Sequence, residues 1–184
     1  MTLQKSWNLA LRPMGRNDLR FVHSVNNDAK IMRYWFEEPF ETFTELTQLY
    51  DQHVHDQRER RLICENTEGE AIGLVELVEI NHIHRRGEFH ILVAPDWQGR
   101  GYATEATRLA VNYAFKVLNL HKLYLIVDVD NKGAVHIYEK CGFKTEGLMP
   151  EEFFSNGAYH NALRMSIFQR DILFPNCRLP ILLN

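Results

Sequence analysis

One stretch constrains this chain more than any other: residues 90–104, HILVAPDWQGRGYAT. It begins as an apolar run that reads as a strand, breaks at Pro95 and passes through Gly99 and Gly101. It then turns into helix formers, with Ala103, Glu105, Ala106, Leu109 and Ala110. A strand, a tight glycine loop and a helix start make an anion site. The N–H groups of a first helical turn have no partner within the helix, and the helix dipole adds to their positive field. Gly99 and Gly101 carry no Cβ, so phosphate oxygens can reach the main chain. No Gly-Lys-Ser/Thr follows, which excludes a Walker loop. The third glycine and later acidic residue of a dinucleotide fingerprint are also missing. What remains is Gln-x-x-Gly-x-Ala at Gln98, Gly101 and Ala103.

The chain has 184 residues, enough for one domain with a real core, and 45% of them are hydrophobic. Its net charge of −3 speaks against general nucleic-acid binding. That average hides an asymmetry. Residues 34–57 contain Glu37, Glu38, Glu41, Glu45, Asp51 and Asp56 and no Lys or Arg, which gives −6 and leaves +3 on the rest of the chain. Such a segment suits a cationic ligand or partner. Cys64, Cys141 and Cys177 have no close spacing, so neither disulfides nor a zinc site is expected, and a reducing cytoplasm fits. The start of the chain lacks the apolar core of a signal peptide, and no apolar run approaches a membrane span of ~18 residues.

The patterning predicts a strand from Trp7 to Arg12 and a helix from Asn17-Asp18 to about Asn26. A second helix is expected over Phe40–Asp56, with Phe43, Leu46, Tyr50 and Val54 on one stripe and Glu41, Glu45, Gln52 and Asp56 opposite. No cation stands at i±4 to relieve these acids within the helix. His53 and His55, two apart, would not share its face. Arg61–Glu65 and Ala71–Ile80 read as strands, with Leu77 and Glu79 on one face and Glu76 and Val78 on the other. Gly87–Ala94 is the strand that feeds the glycine loop. After the loop helix come a buried strand over Lys122–Val129, a short helix over Asn131–Cys141 closed by Gly142, and a hairpin turning at Ser155-Asn156-Gly157-Ala158. The expected organisation is one domain over residues 7–170 and a tail over 171–184.

A second constellation lies at residues 131–143, NKGAVHIYEKCGF. Together with Gln98–Ala103 and the β-α-α-β-β-β-α-β-α-β-β order, it resembles the two signatures of the GCN5-related N-acetyltransferases. That resemblance implies a single-domain α+β fold, with a mixed, mostly antiparallel sheet flanked by helices, and acetyl-CoA as co-substrate. It assigns acetyl-CoA binding to Ile91, Leu92, Val93, Gln98, Gly99, Arg100, Gly101, Tyr102, Ala103, Thr104, Asn131, Ala134, Tyr138 and Lys140. Acyl transfer from a thioester needs an acid for the departing thiolate, and Tyr138, with an ordinary pKa of ~10, is a neutral donor at pH 7. The alternative for Tyr138 is a packing tyrosine under the sheet. Glu88, on the strand entering the loop, is the base expected for the amine; as a surface residue it would instead pair with Arg85 or Arg86. Cys141 reads as a small buried hydrophobe rather than a nucleophile.

The runs YWFEEP at 34–39, HVHD at 53–56, GLVELVEINHIHR at 73–85 and EEFFSNG at 151–157 are similar to those of bacterial spermidine N-acetyltransferases. The likeness spans about Leu9 to Gln169. It implies polyamine (spermidine and spermine) as substrate, with Met32, Trp35, Glu37, Glu45, His53, His55, Asp56 and Glu88 in substrate and allosteric polyamine sites. It also implies a divalent metal, Mg²⁺ or Ca²⁺, at Glu37 and Glu79, and a homododecamer. The chemistry agrees: carboxylates give charge-assisted hydrogen bonds to ammonium groups, and Trp35 offers cation–π contact. Two other readings stay open, an acetyltransferase for a protein N-terminus or other small amine, and a polyamine sensor without turnover.

Overall fold

A computed structural model describes residues 9–32, 34 and 41–172. Within them the elements run β1 (Leu9–Pro13), α1 (Leu19–Asn26), α2 (Ala29–Met32), α3 (Phe43–His53), β2 (Arg60–Asn66), β3 (Ala71–Asn81) and β4 (Arg86–Val93). They continue with α4 (Tyr102–Lys116), β5 (Lys122–Asp128), α5 (Lys132–Lys140), β6 (Lys144–Ser155) and β7 (Ala158–Phe168). The strands form one sheet in the order β1-β2-β3-β4-β5-β7-β6. Every neighbouring pair is antiparallel except β4 and β5. That parallel pair needs a long crossover, which α4 supplies. The mixed, mostly antiparallel α+β architecture is the expected one.

The two-residue period of the strands sorts the sheet into two apolar faces. On one face Leu62, Val75, Leu77, Phe89, Leu123, Leu125 and Met165 pack against α4 and α5. Helix α4 can lie close because Ala106, Ala110 and Ala114 recur every fourth residue and are all fully buried. Phe89 and Phe115, both almost completely buried, fill the space beside them, each worth about 1.5–3 kcal/mol of burial. On the other face Ile63, Leu74 and Leu92 lie side by side on β2, β3 and β4 and meet Leu19, Val22 and Val25 of α1 and Leu46 of α3. The hairpin between β6 and β7 turns through Asn156 (φ 51°) and Gly157 (φ 82°), the left-handed pair that matches strand twist.

Two local expectations fail for physical reasons. Helix α3 starts at Phe43, not Phe40, because Thr42 and Glu45 form a capping box. The Glu45 side chain accepts from the Thr42 main-chain N–H at 2.8 Å, and the Thr42 hydroxyl accepts from the Glu45 N–H at 3.2 Å. Of its expected stripe Leu46 alone is buried, while Phe43 and Val54 are exposed. The alternation along β3 also stops short, since its register with β4 shifts between Val78 and Asn81 and Glu79 sits at φ 49°. That bulge turns Glu79 out to solvent instead of leaving it on the face of buried Leu77.

Candidate active site

The site begins where two parallel strands part. β4 and β5 pair at Arg86–Lys122, Gly87–Leu123 and Glu88–Tyr124, and pairing ends there. From Phe89 to Val93 the strand is still held by β3 but has left β5. A cavity of about 530 Å³ fills the opening, between Phe89–Val93 on one side and Ile126, Val127 and Asn131 on the other.

The glycine loop closes one end of this cleft. A short 3-10 turn begins at Pro95, and the Gln98 side-chain amide returns to donate to the Val93 carbonyl at 2.9 Å, tying loop to strand end. Gly101 adopts φ 87°, a left-handed conformation that any Cβ would strain, and it opens α4 with no side-chain cap on the first turn. Those first-turn N–H groups and the helix dipole face the cleft, as an anion site requires. Gly99, Gly101, Tyr102, Ala103 and Thr104 all line it.

The second signature resolves into two helix caps. The Asn131 side chain accepts from the Ala134 N–H at 3.1 Å, which fixes the start of α5. At its other end Gly142 (φ 96°) lets the chain reverse, and the Phe143 N–H donates to the Tyr138 carbonyl at 3.0 Å. The Tyr138 ring is therefore held against Phe89 and Phe143, with centroids 6.2 and 6.0 Å away, while it lines the cleft. Burial, with a smaller contribution from Cys141, pushes its phenol well above the ordinary tyrosine range, so it stays protonated.

Tyr138 and Glu88 belong to opposite faces of the sheet: Tyr138 lines the cleft, whereas Glu88 stands just outside its lining, beside His90, which does line it. Phe89, against which Tyr138 packs, belongs to the face covered by α4 and α5. Glu88 and His90, one residue to either side of Phe89, belong to the other. The His90 Nε2 lies 3.2 Å from Glu88 Oε1, and its Nδ1 lies 3.9 Å from Glu76 Oε2. Burial opposes charge on this imidazole, but the carboxylates of Glu76 and Glu88 outweigh it and push it up to about 9. Glu76 responds in the opposite sense: burial would raise it, yet His90 and Arg61 hold it below the ordinary carboxylate range.

Of the residues expected around acetyl-CoA, all but Arg100 and Lys140 line this cleft. Arg100 instead lies over the Trp97 ring at 5.0 Å, and Lys140 is exposed at the end of α5. Glu88 does not pair with Arg85 or Arg86 as its alternative reading had it; it faces His90 and Tyr124. The placement of Lys30 and Ile31 of α2 and of Tyr34 just beyond it along the cleft, and the part played by His90, escape a reading of the sequence by motif. For His90 no local signal exists, because strand register alone brings Arg61, Glu76 and His90 into one row.

The residues expected around a polyamine split. His53, His55 and Asp56 meet in a second cavity of about 450 Å³, together with Tyr50, Glu59 and Arg61. His53 and His55 both reach it because α3 ends at His53, so helical spacing no longer separates them. The acidic segment is relieved from outside the helix: Arg16 pairs with Asp51, and Arg58 pairs with Asp56 at 2.8 Å. The exposed Arg58 guanidinium holds the Asp56 carboxyl down at about 2. Glu45 is occupied with its capping box, and Met32 is buried on α2. Trp35 and Glu37 lie outside the described residues. Of the expected metal pair, Glu79 is exposed with the positive Arg58 in its field. Among the described residues Glu79 therefore offers one carboxylate beside a cation, and Mg²⁺ or Ca²⁺ takes several oxygen ligands. Cys64 and Cys141 are buried free thiols, and no helix among the described residues is long and apolar enough to cross a membrane.

Comparison with known proteins places this geometry. Residues 8–144 match the acetyltransferase (GNAT) domain model. Over 163 residues the chain is 60% identical to spermidine N(1)-acetyltransferase of Escherichia coli K12, covering 89% of this chain and 87% of that protein. Its fold matches the crystal structure of Vibrio cholerae spermidine N-acetyltransferase in complex with CoA and spermine, with TM-score 0.88 and 53% identity over 89% of this chain and 97% of the other. A dodecameric structure of the V. cholerae enzyme matches with TM-score 0.80 and 54% identity, over 88% of this chain and 94% of the other.

Proposed function

Because this chain belongs to the GNAT family of N-acetyltransferases, we propose that it transfers the acetyl group of acetyl-CoA to an amine of spermidine or spermine. The observation that carries the chemistry is the parting of β4 from β5 after Glu88, with an anion-binding loop at one end and a buried tyrosine in the wall. The choice of amine rests on the 60% identity to a spermidine N(1)-acetyltransferase.

Each residue then has a task. Gly99, Gly101 and the first turn of α4 hold a pyrophosphate through main-chain N–H groups. The edge of β4 from Ile91 to Val93, released from β5, offers main-chain donors to an extended pantetheine arm and to the thioester oxygen as negative charge develops there. Acetyl-CoA, when bound, supplies the acyl thioester. The amine reaches it from the Glu88 face. A free ammonium has a pKa of about 10.4, so making it neutral at pH 7 costs roughly 4–5 kcal/mol. Glu88 attracts and orients the ammonium; once that group has lost one proton to water its lone pair attacks the thioester carbon, and Glu88 takes the second proton as the N–C bond forms and the nitrogen becomes more acidic. On the opposite face Tyr138 donates its phenolic proton to the sulfur as the C–S bond breaks.

The second cavity, with His53, His55 and Asp56, is the reading's allosteric polyamine site, to which Met32, Trp35, Glu37 and Glu45 are assigned by the family likeness. Its carboxylates suit ammonium groups, and a bound polyamine would take over the place of exposed Arg58 on Asp56. By analogy with the V. cholerae dodecamer, the chain assembles into a homododecamer. Residues 7–170 form the acetyltransferase domain and 171–184 a tail. The buried free thiols accord with a cytoplasmic setting.

Amine profiling tests the substrate. Initial CoA release should be fast with spermidine and spermine and slow with peptide N-termini. A preference for a peptide would overturn the polyamine reading, and tight spermidine binding without CoA release would favour a sensor.

A further inference from the structure

We infer that His90 is a positioning residue of the transfer reaction: clamped between Glu76 and Glu88, it fixes the Glu88 carboxylate on the amine side of the cleft. This rests on the proposed acetyl transfer and deepens it.

The sheet explains why these groups meet. Arg61 pairs with Glu76 across β2 and β3, and Glu76 pairs with His90 across β3 and β4. Directly opposed residues share a face, so the three form one transverse row. One step along the strands, the corresponding row is Ile63, Leu74 and Leu92, which is apolar and covered by α1 and α3. Charged residues have therefore replaced a core layer at the level where the cleft opens. Arg61 Nε lies 3.0 Å from Glu76 Oε1, which leaves Oε2 turned toward His90. His90 lines the cleft and spans to Glu88, the last β4 residue still paired with β5.

The geometry also fixes which form of His90 serves. With one carboxylate 3.2 Å from Nε2 and another 3.9 Å from Nδ1, the form this site favours is the imidazolium, which carries a proton on both nitrogens. The carboxylates push it up to about 9, so at neutral pH it is a cation. It cannot be the base for the amine; it orients the carboxylate that is. Other charged or titratable groups face this point from each element around it. They are Arg61 on β2, Glu76 on β3, Arg86 on β4, Tyr124 on β5 with Arg164 of β7 over its ring and, along the same cleft, Lys30 and Tyr34. Tyr124 is pushed up by its burial and then by Glu88, so it remains neutral beside the pair. The wall holds a further link. Arg61 also lines the second cavity, where it meets Glu59 at 3.2 Å, so the row Arg61, Glu76 and His90 has one end at each cavity.

The test uses the full-length protein and initial rates of CoA release, varying spermidine and acetyl-CoA separately. His90→Gln should lower kcat/KM for spermidine by about 10-fold or more, a loss of the size expected when a catalytic group is left unoriented, with the acetyl-CoA KM unchanged. Glu88→Gln should reproduce that pattern, and the double variant should lose little more than either single one, because both act through one carboxylate. Glu76→Gln removes one of the carboxylates that sustain the imidazolium, so the alkaline fall in kcat/KM should move toward neutral pH; if His90→Gln does not fold, this variant carries the test. Equal losses on both substrates, additive losses in the double variant, or an alkaline limb that Glu76→Gln leaves in place would each overturn the inference. No CoA release by the wild-type chain with any amine would instead remove the proposed reaction itself.

Discussion

Replacing Tyr138 by Phe isolates a single oxygen. The ring remains between Phe89 and Phe143, so packing is preserved and the cleft keeps its wall. The chemical loss follows from what this interior does to thiols. A thiol in water has a pKa of about 8.5 and leaves a carbonyl without much help. Inside this protein burial pushes Cys64 up to about 12, and burial, before any nearby charge, pushes Cys141 up to about 11. A thiolate expelled beside Tyr138 meets the same poor solvation, becomes a stronger base and needs a proton. The Tyr138 phenol is raised as well, so donor and acceptor move together and transfer between them stays feasible. Removing the donor should therefore cost the full value of general acid catalysis, roughly 100- to 10,000-fold in kcat, or about 3–5 kcal/mol. The assay is thiol release at saturating spermidine, with acetyl-CoA affinity measured by calorimetry and folding by thermal melting. Affinity and melting should hold while turnover falls. A wild-type rate, or a loss of affinity equal to the loss of turnover, would show that the hydroxyl has no such role.

Three further outcomes follow from the same geometry. A Cβ on Gly73 would meet the Leu92 carbonyl at 2.6 Å, so Gly73→Ala should destabilise the fold by about 1–3 kcal/mol and raise the acetyl-CoA KM, because it displaces the cleft wall; an unchanged melt would refute the clash. His90 rises from 6.5 to about 9 on folding, so its ion pairs stabilise fully below about pH 6.5 and are lost as pH climbs through 9. That contribution is about 3 kcal/mol. Melting temperatures across this window should drop more for wild type than for Glu76→Gln, and parallel curves would contradict the coupling. Thr42→Ala should lower stability by about 0.5–2 kcal/mol through loss of the cap, with kcat untouched; a neutral effect in chemical denaturation would remove the capping box from the account.

Much of this was legible from short-range chemistry. The glycine loop, the Asn131 cap, the Gly142 reversal and the Asn156-Gly157 hairpin each depend on residues within a few positions, and each stands where the sequence put it. The start of α3 is equally local, written as Thr42-x-x-Glu45, three residues after the Phe40 start expected from the sequence. What sequence could not give depends on register. Glu76 and His90 are fourteen positions apart and Arg61 fifteen before Glu76, and strand pairing alone makes them neighbours. The relief of the acidic segment by Arg16, thirty-five positions from Asp51, is of the same kind. The bulge at Glu79 shows the reverse case, where a strict two-residue alternation assigned a face that one left-handed residue then changed.

The central claim is that the cleft between β4 and β5 joins acetyl-CoA to a polyamine. Its most direct test is the initial rate of CoA release against spermidine concentration at saturating acetyl-CoA. The account predicts a saturable, sigmoidal curve, saturation reporting the substrate and sigmoidicity the second polyamine site. A flat line would contradict it, leaving the fold and the anion-binding loop without this amine.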